Sequence, residues 1–111
     1  MKSTEGYVYL ICDPQTDHFK IGVTKGTIEN RINELQTGNS SELHITNSHK
    51  TNYPFRVEKM LHSKFSNYRV HGEWFNLPNE EIFNFNETCN KIEEVIEALK
   101  DNPFFAKGLR E

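Results

Sequence analysis

The run Gly6 to Arg31, GYVYLICDPQTDHFKIGVTKGTIENR, leaves few folds open. Tyr7 through Cys12 are strand formers, and Phe19 to Thr24 alternate Phe, Ile and Val with Lys, Gly and Thr, so both runs favour an extended backbone. Asp13-Pro14-Gln15-Thr16-Asp17 between them is turn chemistry. Proline presets the first corner and the aspartates can bond their own backbone, which predicts an antiparallel hairpin. A helix follows at once: Thr27 is a suitable N-cap, Ile28, Ile32 and Leu35 share one face, and Gly38 supplies a left-handed stop. Arg31 sits one turn into that helix.

Past Gly38, Leu43, Ile45 and Asn47 alternate with polar residues as a third strand. Thr51-Asn52-Tyr53-Pro54 opens a second helix over 55–67, with Val57, Met60, Leu61 and Phe65 at helical spacing. Glu58 and His62 flank that apolar stripe, where helix meets sheet. Tyr68 to Gly72 reads as a basic, irregular connection, and Glu73 to Leu77 as a short strand ended by Pro78. The predicted fold is α+β: a small three-stranded antiparallel sheet flanked by helices, with an additional C-terminal helix. Residues 1–77 read as the core domain. Residues 78–111 read as a linker, Pro78 to Asn86, and a helix from Asn86 to about Lys100. Its stripe of Ile92, Val95, Ile96 and Leu99 either packs on the domain or makes a homodimer, and Phe104-Phe105 can tuck its end onto the body.

Composition narrows the function. At 111 residues the chain is one domain, and with only 35% hydrophobic residues its eight Phe, four Tyr and single Trp must carry the core or a site. Cys12 and Cys89 suggest neither a disulfide framework nor, with the five scattered histidines, a common zinc site. The absence of a long apolar run and of a leader-like N-terminus predicts a soluble, cytoplasmic protein with no membrane partner. The net charge of −3 sits in the tail. Residues 1–77 carry nine Lys/Arg against eight Asp/Glu, and the remaining 34 carry four against eight. The net charge argues mildly against nucleic acid, but the near-neutral core leaves Lys20, Lys25, Arg31, Arg56, Lys59, Lys64 and Arg69 available for phosphates, and binding through them would be weak and salt-sensitive.

Tyr7-Val8-Tyr9, then Lys20-Ile21-Gly22 after ten intervening residues, then Arg31 after eight more, resemble the motifs of the GIY-YIG nuclease superfamily. Glu58 matches that superfamily's metal-binding glutamate, and Tyr68-Arg69-Val70 its aromatic turn. Tyr7 stands in place of the first motif's glycine, with Gly6 adjacent, and Lys20 replaces the second motif's first tyrosine. With Leu35-Gln36-Thr37-Gly38-Asn39 and Gly72-Glu73-Trp74-Phe75, these departures resemble the compact phage and large-DNA-virus branch. The resemblance covers roughly residues 6–77 and implies a metal-dependent DNA endonuclease. The alternative is a DNA-binding module on the same fold without turnover.

Phosphodiester hydrolysis needs an activated water, charge neutralisation and help for the leaving oxygen. Glu58 can hold one Mg²⁺ or Mn²⁺ with waters completing the shell. Arg31 clamps the phosphate through its fixed fork of donors. Tyr9 is the candidate general base and, as a phenol, needs a nearby cation to lower its pKa, which Lys20 on the paired strand can provide. If Lys20 contacts phosphate instead, the base is His62 or a metal-activated water. Glu73 is a partner that orients Arg31 or His62, or an ordinary strand charge. Tyr7, Gly22, Lys25, Lys59 and Arg69 are the remaining DNA-binding candidates, Gly22 because it lets the substrate approach the strand closely.

Overall fold

The hairpin forms as its residues dictate. In the computed structural model, which describes residues 4–103, β1 (Gly6–Asp13) pairs antiparallel with β2 (His18–Thr24), Tyr9 opposite Gly22 and Asp13 opposite His18. Asp13 organises the turn. Its Oδ1 accepts from the Gln15 amide at 3.0 Å and its carbonyl from the Asp17 amide at 2.9 Å. Asp17 closes the turn at φ 59°, the left-handed region that Asp tolerates better than most residues.

Five strands, not three, make the sheet, in the order β3-β1-β2-β5-β4. β3 is His44–Thr51, and the additions are β4 (Arg69–His71) and β5 (Trp74–Phe75). Gly72, at φ 55°, turns β4 back onto β5, and β5 pairs with β2 through Phe19↔Phe75 and Lys20↔Trp74. The connection read as irregular is thus a small hairpin. Strands of two and three residues are too short to show alternation in sequence.

Alternation along β1 sorts its side chains into two layers. Val8 and Leu10 face a core with Ile21, Val57, Leu61, Phe65, Phe75 and Leu77, covered by α2 (Pro54–Lys64) and α4 (Phe85–Leu99). Tyr9 and Ile11 face the other way, onto Leu43 with Ile28, Ile32, Leu35 and Trp74, under α1 (Ile28–Thr37). β1 is therefore buried on both faces, which explains its nearly continuous apolar run.

Thr27 caps α1 as expected, accepting from the Asn30 amide at 3.1 Å. Gly38 does not supply a left-handed stop; its φ is −96°. The Gln36 side chain secures the exit instead, donating to the Ser41 carbonyl at 2.6 Å and accepting from the Leu43 amide at 2.8 Å.

The stretch read as a linker carries α3 (Asn79–Phe83) and the start of α4. Phe85, Cys89, Ile92 and Ile96 enter the same core as Val8 and Leu10, while Val95 and Leu99, the other half of the apolar stripe, remain exposed. Burying Phe85, Ile92 and Ile96 contributes about 5–9 kcal/mol at about 1.5–3 kcal/mol each, an amount comparable with the whole stability of a small domain. The acidic flank of α4 is tied to the sheet edge: Glu93 to His49 at 2.9 Å, and Asn86 Nδ2 to the Ser48 carbonyl at 2.8 Å. The Tyr53 hydroxyl, just before α2, donates to Glu97 at 2.7 Å. The Asn86 contact takes up one backbone carbonyl on the outer edge of β3, where unpaired groups would otherwise be open. Both cysteines are free thiols, and no helix among the described residues is long and apolar enough to cross a membrane. The Phe104-Phe105 pair lies outside the described residues.

Candidate functional site

Halfway along β2 the pairing changes hands. β5 matches β2 through Lys20, and the Ile21 amide donates to the Glu73 carbonyl at 3.0 Å. At the same residue the chain meets α2, since the Ile21 carbonyl is 2.9 Å from His62 Nε2. A carbonyl only accepts, so Nε2 carries a proton, and in the neutral ring the lone pair is on Nδ1. The Phe75 ring meets the imidazole edge-on, centroids 4.9 Å apart at 76°. His62 is thereby fixed in tautomer and orientation.

Above this point Tyr9 lies across Gly22. A Cβ on Gly22 would sit 2.6 Å from Tyr9 Cζ and 2.9 Å from Cε1, so the ring occupies the space that a side chain would need. The requirement for glycine is real, but its reason differs from the expectation: the close approach is by Tyr9. The Tyr9 side chain is fully buried, and Arg31, reaching down from α1, donates from Nε to its hydroxyl at 3.2 Å. The other end of the fork, Nη1, meets Glu34 at 3.2 Å.

The cation beside Tyr9 is Arg31 and not Lys20. Lys20 Nζ is 3.0 Å from Glu73 Oε1 and 5.5 Å from the centre of the Trp74 ring. Burial pushes the Tyr9 phenol above its usual value; the hydrogen bond and charge of Arg31 pull it down, and the charges of Glu73 and Glu58 push it up again. The net direction is upward. Lys20 therefore does not prepare Tyr9 as a base in the way expected from their strand pairing.

Glu58, His62 and Glu73 each offer a ligand atom, and these atoms lie within 4.8 Å of one another. Burial raises Glu58 to about 7, the neighbouring Glu73 adding to the rise through its charge and a hydrogen bond while Lys20 opposes it. Two half-buried carboxylates and an oriented imidazole form a donor set that fits a divalent cation. Glu73 is the residue whose place the sequence understated. It directly follows Gly72, and the turn made by that glycine returns the chain to the edge of β2.

The other candidates are spread around this cluster. Tyr7 lines a separate concavity of about 350 Å³ with Thr27, Ile28, Glu29, Ile45 and Ser48. Lys25 Nζ donates to the Thr4 carbonyl at 3.3 Å and lies 5.8 Å from the centre of the Phe55 ring. Arg69 Nε donates to the Gly72 carbonyl at 2.9 Å, holding its own hairpin together. Lys59 is exposed on α2. Another concavity, about 380 Å³ between α2, α3 and α4, is lined by Met60, Lys64, Lys91 and Val95 among others and contains none of the clustered residues.

The sequence profile of the T5orf172 domain matches residues 6–100, which include every element from β1 to α4. Over 92 residues the chain is 36% identical to Uncharacterized protein L754 of Acanthamoeba polyphaga mimivirus; the match covers 81% of this chain and 24% of that protein. The chain thus spans about a quarter of the length of its viral relative. No solved structure matches. On this evidence the chain belongs to the T5orf172 domain family, a phage- and virus-associated family of nuclease-like or DNA-binding fold.

Proposed function

We propose that the chain is a metal-dependent DNA endonuclease of GIY-YIG type, hydrolysing phosphodiester bonds at the edge of β2. The observation that carries this reading is the Arg31–Tyr9 hydrogen bond over Gly22, with the carboxylates of Glu58 and Glu73 near enough for their charges to reach the Tyr9 hydroxyl. A structural tyrosine could be satisfied by any backbone carbonyl. Here its hydroxyl is instead held by a partly exposed guanidinium whose Nη1 reaches the exposed Glu34.

Arg31 binds the non-bridging oxygens and stabilises charge that builds on them. Tyr9 is the candidate to accept the proton of the attacking water, with Arg31 favouring the phenolate against the burial that disfavours it. A divalent cation, Mg²⁺ or Mn²⁺, with Glu58 as its ligand, would neutralise charge on the phosphate and on the carboxylate pair, offsetting the share of the phenol's rise that comes from Glu73 and Glu58, while burial remains its larger cause. Lys25, Lys59 and Arg69 lie on exposed surface beyond this cluster, where they contact the flanking backbone and set register more than sequence preference.

Incubating the full chain with plasmid and with single-stranded DNA in Mg²⁺, Mn²⁺ or EDTA tests the reading. Cleavage that needs the cation and drops about 10²- to 10⁴-fold in Tyr9→Phe, with DNA affinity retained, supports it. DNA binding without cleavage under any cation would leave the binding module as the function.

A further inference from the structure

A lone glutamate is an adequate ligand for Mg²⁺, which keeps most of its waters and prefers an all-oxygen shell. This site offers more. Atoms of Glu58, His62 and Glu73 already lie within 4.8 Å of one another, whereas donors on one ion at about 2.0–2.2 Å sit at most about 4.4 Å apart, so small side-chain movements close the set. His62 gives Nε2–H to the Ile21 carbonyl and is braced by the edge-on Phe75 ring. Ligating histidines are held by this kind of outer contact, which leaves the other nitrogen for the metal. An imidazole nitrogen favours transition ions over Mg²⁺.

Glu73 is also the partner of Lys20, at 3.0 Å, and the Lys20 side chain is only 14% exposed. An ion about 2.1 Å from the Glu73 carboxylate would stand within about 5 Å of that ammonium, and at this distance a unit charge weakens a divalent ion roughly tenfold even at the dielectric of water. The ion and Lys20 therefore compete for Glu73.

We infer that Glu58, His62 and Glu73 form one mixed nitrogen–oxygen site that takes Mn²⁺ in preference to Mg²⁺, and that the ion displaces Lys20 from Glu73 as it binds. The freed ammonium, over the Trp74 ring beside the cluster, then serves the substrate phosphate; this last clause alone rests on the endonuclease reading. His62 is on this account a ligand and not the base.

The test is calorimetry of the full chain with Mn²⁺ alone and Mg²⁺ alone, without DNA, together with pulsed electron paramagnetic resonance of the Mn²⁺-loaded protein. The wild-type chain is expected to bind Mn²⁺ at least about tenfold tighter than Mg²⁺ and to show ¹⁴N coupling to the ion. His62→Asn should lose about 10- to 100-fold in Mn²⁺ affinity with little change for Mg²⁺, and Glu73→Gln should weaken both. Lys20→Met should move the other way, tightening both ions roughly tenfold. Opposite signs from the two partners of one ion pair are not what a purely structural salt bridge produces. Absence of ¹⁴N coupling in the wild-type protein overturns the site without recourse to any variant. Weaker or unchanged binding in a Lys20→Met chain that keeps its circular dichroism spectrum overturns the competition. Metal binding as described without DNA cleavage would refute the endonuclease reading and leave this one standing, while cleavage supported equally by both ions with no ¹⁴N coupling would do the reverse.

Discussion

Replacing Gly22 by alanine sets two effects of known size against each other. Gly→Ala at a strand position stabilises by about 0.4–1 kcal/mol, because the unfolded chain loses freedom, provided the new methyl fits. Here it does not fit: the methyl would stand 2.6 Å and 2.9 Å from two ring carbons of Tyr9. The ring has nowhere to go, since Tyr9 is fully buried against Ile11 and Leu43 and its hydroxyl is held by Arg31. Overpacking of this kind costs about 1–3 kcal/mol, so the clash wins and Gly22→Ala is expected to be net destabilising by about 1–2 kcal/mol in urea unfolding. The cause is checked by a cycle with Tyr9→Leu, which removes the ring. In that background Gly22→Ala should be neutral or stabilising, a coupling of about 1–3 kcal/mol. Cleavage should fall about 10²-fold in Gly22→Ala, because a displacement of about 1 Å separates the hydroxyl from Arg31. A Gly22→Ala chain as stable as wild type, or equally destabilised with and without the Tyr9 ring, would show that the space over Gly22 is not what requires the glycine.

Arg31→Lys keeps the charge and loses the fork, so cleavage should drop about 10²- to 10³-fold with a much smaller change in DNA affinity; equal losses in the two assays would reduce Arg31 to an anchor. Glu58 is raised to about 7 in the metal-free chain, so folding favours its neutral form. The stability it contributes is full below about pH 4.5 and is lost as the pH rises through about 7; unfolding titrations in EDTA should show a fall of about 2 kcal/mol between about pH 5 and pH 8, which Glu58→Gln removes. Ending the chain at Asn79 removes Phe85, Cys89, Ile92 and Ile96 from the core. We expect such a fragment to lack a cooperative thermal transition, and a folded, active fragment would show that α4 is dispensable.

Local chemistry carried much of this fold into the sequence. Asp13-Pro14 and Asp17 can hardly do anything but turn the chain, and Thr27 with the Ile28–Ile32–Leu35 stripe specifies α1; such signals act within a few residues and survive without tertiary context. The periodic stripe Val57, Met60, Leu61 and Phe65 likewise marked α2, with Glu58 and His62 on its flank. What sequence could not show were the pairings that depend on where distant segments meet. β4 and β5 are too short to have a period and exist because Phe75 and Trp74 find β2. Gly38 looked like a left-handed cap, yet Gln36 secures the helix exit through contacts seven residues apart at most, and no left-handed residue is needed. Lys20 and Tyr9 looked coupled because they lie on neighbouring strands, but the register sets Lys20 opposite Ile11, and the lysine has a carboxylate at 3.0 Å, where a short-range ion pair outweighs a longer one. Arg31 takes the place beside Tyr9 because α1 lies over the one glycine that allows the tyrosine ring to cross β2. The residue types of the site could thus be read from the chain, whereas their partners were decided by tertiary packing, since charge and hydrogen-bond interactions depend on distances that sequence separation does not contain.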